Sequence, residues 1–181
     1  MSLRRYAWFL PMLLSGRLPA QTAGPRPAVA VLELRFDGQH ATVPEPGDTA
    51  VAQAATRKLV ATLLASDDVT LVDSARVAKA VTAAEADGNP CDNACAVAVA
   101  RKLGAQWVVT GTVTKTSNLV WILTAELLDV AAGRPILADG YELKGDARVM
   151  GPAGAHVFAQ RVQRILAERQ TSSGRRGATT H

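Results

Sequence analysis

Cysteine, histidine and aromatic residues are scarce in this chain of 181 residues, and each shortage excludes a class of protein. The sequence contains two cysteines, three histidines and only 4% Phe, Trp and Tyr. Zinc sites typically use about four Cys or His ligands, and His40, His156 and His181 have no ligand spacing to the cysteines. The sequence also lacks the Gly-x-Ser-x-Gly motif of serine hydrolases and a glycine-rich phosphate loop. It therefore predicts a protein without catalysis, metal or cofactor.

A basic patch is also lacking in the body of the chain. The whole sequence has a formal net charge of +4, but residues 27–168 contain 13 basic and 16 acidic residues, a net charge of −3. The excess positive charge therefore lies at the two ends of the sequence. Because nucleic-acid-binding domains concentrate Lys and Arg on one face, we expect no nucleic acid among the partners.

No apolar run is long enough to span a bilayer, which takes about 20 residues in a helix. The most apolar segment, residues 6–14, follows Arg4 and Arg5 and precedes a stretch of small residues. This order is typical of a secretory signal peptide. The sequence predicts a signal peptide over residues 1–23, cleaved near Ala20 or Ala23, and a periplasmic or secreted mature chain without an integral membrane segment.

Apolar periodicity predicts one domain over residues 24–169 and a disordered, polar tail over residues 170–181. Helices after the first two strands favour a parallel pair, and short turns between the last three strands favour an antiparallel meander. The predicted fold is therefore α/β, with a mixed β-sheet covered by helices. The predicted elements are a strand over 29–36, a helix from 48 or 49 to about 66, a short strand over 69–73, helices over about 74–86 and 92–103, strands over 107–115, 119–129 and 136–144, and a helix over about 154–169.

Each predicted helix has a set of apolar residues, called its stripe, that is expected to face the core. In the first, second and last helices the members recur at the spacing of a surface helix that packs on a sheet. The stripes consist of Val51, Ala55, Leu59 and Leu63; Val77, Val81 and Ala84; Val97, Val99 and Leu103; and Phe158, Val162, Ile165 and Leu166.

Two segments resemble a known pattern: ARKLGAQWVVTGTV at residues 100–113 and AELLDVAAGRPI at residues 125–136. They are similar to the A-R-x-L-G-A-x-x-V-V-x-G-x-V … L-x-D-x-x-x-G-x-x-L pattern of the periplasmic superfamily of the TolB N-terminal domain and CsgG. The following KTSNL at residues 115–119, with the nearby cysteine pair, looks like a family of predicted secreted bacterial proteins known as a domain of unknown function. The resemblance covers about residues 28–167. It implies the TolB-N/CsgG-like fold and an accessory or interaction domain of the cell envelope.

Both cysteines lie in the segment CDNAC, residues 91–95. Residues four apart within a helix have Cβ atoms about 5–6 Å apart, whereas a disulfide requires about 3.5–4.5 Å. A bridge therefore requires Cys91 to precede the helix, and Pro90 followed by a cap at Asp92 or Asn93 places it there. In an exported protein we expect a structural disulfide. The alternative is a redox pair, because Cys95 would lie near a helix N-terminus, where a thiolate is favoured.

The polar cluster around Lys115, Ser117 and Asn118 has two interpretations. It is either a hairpin turn in which Ser and Asn bond their own backbone, or a recognition edge in which these residues contact a partner and Trp121 serves as an anchor. Trp121 also shares its side-chain parity with inward-facing neighbours in the strand, as Trp107 does in its own strand. Core packing is therefore the expected place of both tryptophans.

The function predicted from these features is a non-catalytic accessory or binding domain of the cell envelope. Its partner would be an envelope protein or a small ligand. One alternative is a thiol-redox protein that uses Cys91 and Cys95. The other is an oligomeric, CsgG-like structural or secretion subunit, which would form a homo-oligomer through its sheet.

Overall fold

The structure is a computed structural model that describes residues 26–38, 45–117 and 119–177. The predicted signal peptide and its cleavage site lie outside these residues. Within them, six strands form one sheet on which four helices pack. The strands are β1 (Ala28–Val31), β2 (Arg35–Asp37), β3 (Thr70–Leu71), β4 (Trp107–Lys115), β5 (Trp121–Asp129) and β6 (Arg134–Leu143). The helices are α1 (Asp48–Leu64), α2 (Ser74–Ala84), α3 (Asn93–Lys102) and α4 (Ala147–Gly177).

The sheet is mixed, as predicted. β1 lies between β3 and β4 and is parallel to both, and β2 continues beside β4 in the same direction. β4, β5 and β6 form the predicted antiparallel meander. The order is β3-β1-β4-β5-β6, and the predicted α/β fold class is confirmed.

The two faces of the sheet are covered unequally. α1 and α4 pack over one face, where Leu59, Leu123 and Phe158 are fully buried in the larger core. α2 and α3 pack over part of the other face, around Val77 and Leu128. The rest of that face carries threonines and stays open to solvent. The prediction of a sheet covered by helices is therefore correct for one face and only partly correct for the other.

The predicted first strand is divided by a β-bulge. Val31 pairs with Val109 and Arg35 with Thr112. Four residues of the first strand, 32–35, therefore lie beside three residues of β4, 110–112. Glu33 is the extra residue, since Leu32 faces the smaller core and Leu34 the larger one. Such a bulge bends the strand and leaves one residue unpaired.

Gly111 of β4 lies opposite this bulge, and no larger residue fits there. A Cβ atom at Gly111 would come 2.8 Å from Cδ2 of Leu34 and into contact with the main-chain oxygen of Thr124. The glycine therefore lets the bulged strand and β5 approach β4 from both sides. Glycine within a strand often marks such a close approach of neighbouring chain segments.

α4 is longer at both ends than the sequence predicts. It begins at Ala147, where the Asp146 carboxylate accepts a hydrogen bond from the Arg148 amide at 2.9 Å, and Pro152 lies inside the helix. It continues to Gly177, so the predicted disordered tail is helical from residue 170 to that point. The Gln170 side chain donates to the Asp68 carbonyl at 2.8 Å and holds this part against the domain. None of the helices in the described ranges combines the length and apolar composition that crossing a membrane requires.

Candidate binding groove

A groove of about 900 Å³ lies beside the bulged strand, at the carboxyl end of β1. β3 is only two residues long and pairs with Ala28 and Val29. Beyond Val31, no strand of the described chain therefore covers this edge of the sheet. Crevices at the carboxyl ends of parallel strands are the usual ligand sites of α/β sheets, and bulges are common beside such sites.

The walls of the groove are α1 and α2, which pack on opposite faces of the sheet. Apolar atoms make up most of the exposed lining, and each wall contributes both apolar and polar residues. From α1 the lining includes Ala52, Gln53, Thr56, Arg57, Val60, Ala61 and Leu64, and from α2 and its C-cap it includes Ser74, Val77, Ala78, Val81, Thr82 and Glu85. Residues 31–36, Thr110 and Cys91 form the floor. Leu64 is 65% exposed, which is high for a leucine beside a core.

α2 packs less completely than its sequence predicts. Of its apolar stripe, Val77 is 2% exposed, Val81 is half-buried in the groove wall, and Ala84 is exposed. The helix starts at Ser74, as expected, and Asp73 is its cap, with its carboxylate accepting from the Arg76 amide at 2.9 Å. The stripe that normally packs on a sheet is thus partly available to a ligand.

Cys91 lines the groove and is paired with Cys95 at the start of α3. Cys91 precedes α3, as predicted, and the Cys91 and Cys95 Cα atoms are 5.1 Å apart with the sulfurs at bonding distance. Asp92 is the helix cap and accepts from the Cys95 amide at 2.8 Å. The Cys91 amide donates to Glu85 Oε1 at 2.7 Å and so ties the pair to the end of α2. The geometry is that of a pair able to form a disulfide, and the oxidised state remains our proposal.

A second, polar cavity of about 400 Å³ lies on the open part of the sheet. Thr112 and Thr124 are paired across β4 and β5 on this surface, and Asn93 donates from its amide to Glu126 at 2.6 Å. Arg35 and Thr110 line both this cavity and the groove. The apolar groove therefore continues directly onto a surface of hydroxyl and charged groups.

Lys115 and Trp121 lie inside the protein, with exposures of 1% and 5%. The Lys115 ammonium donates to Asp48 Oδ2 at 2.9 Å and lies 5.3 Å from the centre of a Trp121 ring. Glu45 is a more distant partner at 3.7 Å. The predicted recognition edge is corrected at these two positions, because neither side chain reaches the surface where a partner would contact it.

Asp48 is the buried counterpart of Lys115, with an exposure of 8%. Burial raises the pKa of its carboxyl. The amide of Glu45, which donates at 2.9 Å, and the Lys115 ammonium outweigh this effect and hold the pKa below its ordinary value of 3.8. The pair fixes the start of α1 to the end of β4 and so sets the position of one groove wall.

The turn between β4 and β5 has the local bonding expected of a hairpin. The Ser117 hydroxyl accepts from the amides of Leu119 and Val120 at 3.2 and 3.1 Å. Asn118 lies outside the described residues. A recognition role for Ser117 and Asn118 stays a prediction. Across the described ranges, no three His, Cys, Asp or Glu residues are grouped as metal ligands.

A family model described as "Protein of unknown function (DUF2380)" matches residues 27–156. The chain belongs to this family. The match contains all six strands and every residue that lines the groove. The predicted membership in a family of unknown function is confirmed, while the resemblance to CsgG stays a prediction. None of the curated proteins matches the chain.

Three solved structures are similar to parts of the chain. Lipoprotein GNA1162 from Neisseria meningitidis is 14% identical over 75% of this chain and 96% of its own, with a TM-score of 0.49. The LpoB C-terminal domain from Escherichia coli is 20% identical over 71% and 90%, with a TM-score of 0.46. TolB from Acinetobacter baumannii is 16% identical over 76% of this chain and 28% of its own, with a TM-score of 0.45. At these values the likeness carries no inference about function.

The groove is the feature that the sequence did not predict. It depends on the length of β3 and on where α1 and α2 lie beside the sheet edge, and neither follows from a local pattern. The buried position of Lys115, in contrast, had a signal in the sequence. Lys115 has the same strand parity as Val109 and Val113, which face the core. That parity predicts an inward-facing charge and hence a buried partner.

Proposed function

We propose that the protein is a non-catalytic binding domain of the cell envelope that holds a short apolar segment of a partner protein between α1 and α2. The observation that carries this proposal is the groove itself, whose apolar walls lie beside an uncovered sheet edge. Exposed apolar surface of this kind marks an interaction site in a soluble domain. The size of the groove is that of a ligand site.

The envelope location rests on sequence features. Residues 1–23 have the order of a signal peptide, and the cysteine pair has the geometry of a bond that persists in oxidising compartments. Expression of the full chain in a bacterial host tests this part. We expect the protein in the periplasmic fraction, with a mature N-terminus at residue 21 or 24. An unprocessed chain in the cytoplasm would contradict the location.

Binding in the groove is tested with two alanines of α2. Ala78 lines the groove and Ala83 does not, and both are exposed. Ala78→Arg places a long charged side chain in the groove, and Ala83→Arg places the same side chain on the outer surface of the same helix. Both substitutions are expected to leave the thermal unfolding midpoint nearly unchanged, because they alter exposed positions.

Arrays of peptides from envelope proteins of the source organism provide the ligands. The wild type and Ala83→Arg are expected to bind the same small set of apolar peptides, and Ala78→Arg is expected to lose them by at least about tenfold in affinity, which corresponds to about 1.4 kcal/mol. Equal binding by the two variants would place any ligand elsewhere. No binding by the wild type would reject a peptide-binding function.

A further inference from the structure

Two arginines line the groove next to a contact between the bulged strand and α1. The Leu34 amide donates to Thr56 Oγ1 at 2.9 Å, and Arg35 and Arg57 are the next residues along each segment. Both arginine side chains are exposed and line the groove. Over the described ranges, neither forms an ion pair or a hydrogen bond, so both guanidinium groups are available to a ligand.

The acidic residues of the groove do not neutralise these arginines directly. Glu85 lies on the opposite wall and accepts from the Cys91 amide at 2.7 Å. Glu33 is exposed at the bulge and forms no ion pair with either arginine within the described chain. Arg57 on the α1 wall and Arg35 on the floor, toward the open face of the sheet, are therefore two positive groups without an ion-pair partner among the described residues, which a carboxylate at the sheet edge would complement. Arginine binds carboxylates with two parallel hydrogen bonds, and this geometry favours a planar anion.

The uncovered edge also offers main-chain groups. The Val29 carbonyl accepts from the Val72 amide at 2.9 Å, so Val29 directs its main-chain groups toward β3. Val31, two residues on, directs its groups to the same side beyond the end of β3. Leu34 directs its amide toward α1, and Phe36 follows it by two residues. An extended peptide in the groove would thus lie beside strand-like hydrogen-bonding groups, as in the addition of a strand to a sheet.

We propose that the groove binds the C-terminal end of a partner polypeptide, extended and parallel to β1 and β2, with its terminal carboxylate at Arg35 and Arg57. This inference rests on the proposed peptide-binding function. The parallel direction follows because the arginines lie toward the end of the edge to which the strand runs. From Val31 to Arg35 the edge spans about 13 Å at about 3.3 Å per residue, which accommodates four or five peptide residues.

The alternation of a strand explains the two apolar walls. Side chains of an extended peptide point alternately to opposite sides, one set toward Val60 of α1 and the other toward Val81 of α2. A long-chain carboxylate would use the arginines and the apolar walls but not the main-chain groups of the edge. The edge therefore favours a peptide, and a fatty acid becomes an outcome of the test.

The test selects a random heptapeptide library displayed with free C-termini against the purified mature protein. Sequences with apolar C-terminal residues are expected to be enriched on the wild type and on Ala83→Arg, but not on Ala78→Arg. An enriched peptide is then synthesised as the free acid and as the C-terminal amide. We expect the acid to bind the wild type at least about tenfold more tightly, in the range of charge-assisted hydrogen bonds, with the difference shrinking at high salt.

The arginines are tested with the same pair of peptides. In Arg35→Gln, and more completely in Arg35→Gln/Arg57→Gln, the ratio of acid to amide affinity is expected to fall toward one. Arg134→Gln is the control, because Arg134 is exposed on β6 and lies outside the groove. Melting curves of all variants establish that each is folded.

The outcomes separate the two proposals. Equal affinity of acid and amide for the wild type would overturn C-terminal recognition and leave the peptide groove intact. Absence of any enriched peptide that depends on Ala78 would reject the peptide groove itself. Tighter binding of decanoate than of every peptide, lost in Ala78→Arg, would identify a lipid-like ligand and overturn the proposal of a polypeptide C-terminus.

Discussion

The two faces of the sheet use apolar residues in different ways. Below α1 and α4, the inward side chains of β4, β5 and β6 meet two long helices in one continuous core. Below α2 and α3, the second core is smaller, and it gives way to a groove on one side and to an open threonine surface on the other. The first face has the contacts that stabilise the fold, and the second leaves apolar and polar groups for a ligand. A domain built in this way can vary its binding surface without disturbing the main core.

Loss of the buried charge pair should have the largest effect on the α1–α4 face. Lys115→Met leaves the Asp48 carboxylate buried without its main partner, which is expected to lower the free energy of unfolding by about 3–5 kcal/mol. The double variant Lys115→Met/Asp48→Leu should regain most of this loss, because it removes both charges. Urea unfolding measures all three proteins.

Lys144→Met is the matched control for this substitution. Lys144 forms an exposed ion pair with Glu142 at 3.6 Å, and such pairs contribute about 0–1 kcal/mol. If Lys115→Met and Lys144→Met lowered the free energy of unfolding equally, the buried pair would contribute no more to stability than an exposed one.

Two leucines of β5 compare the faces directly. Leu123 is buried on the α1–α4 face and Leu128 on the α2–α3 face, with exposures of 0% and 1%. Leucine-to-alanine changes in a core cost about 2–5 kcal/mol, and the cost increases with the cavity that remains. We expect Leu123→Ala near the upper end and Leu128→Ala near the lower end in urea unfolding. The reverse order would contradict the division of stability between the faces.

The cysteine pair should compensate in part for the weaker packing of the α2–α3 face. For a loop of this length, a disulfide contributes about 2 kcal/mol in the chain-entropy model. The variant Cys91→Ser/Cys95→Ser is expected to lose this amount relative to the oxidised wild type, and to equal the wild type once the latter is reduced. Mass measurement after alkylation of the exported protein checks the premise, since two alkylated thiols would contradict a structural bridge.

The smallest expected effect is the acid dependence that Asp48 causes. Its pKa is lowered in the folded protein, so its contribution to stability is present above the unfolded value of 3.8 and is lost as the pH falls through the folded pKa. Urea midpoints of the wild type should therefore fall in acid, and those of Asp48→Asn should fall less steeply from a lower starting value. The exposed substitution Asp67→Asn serves as the control. Parallel pH curves for wild type and Asp48→Asn would contradict this role.

The periodic parts of the fold were predictable, and the parts that depend on element length or angle were not. The stripe from Val51 to Leu63 determines how α1 packs, because its four members repeat at the helical period. The start of α4, by contrast, was predicted near residue 154, whereas the helix extends through Pro152 to Ala147. The cap at Asp92 and the place of Cys91 followed from local chemistry. The groove did not, because it results from a two-residue strand, β3, and from an α2 helix that leaves part of its apolar stripe uncovered.

The extra residue in the first strand also determines where the chain tolerates a change of length. Deletion of one residue within a strand normally turns every following side chain to the opposite face. At Glu33 the opposite holds, because removing the residue restores regular alternation: Val31 and Leu34 still face the larger core, and Arg35 still faces the open surface. Relatives of this chain can therefore lack a residue at this point and keep the same core. They would differ instead in the course of the edge that forms the floor of the groove.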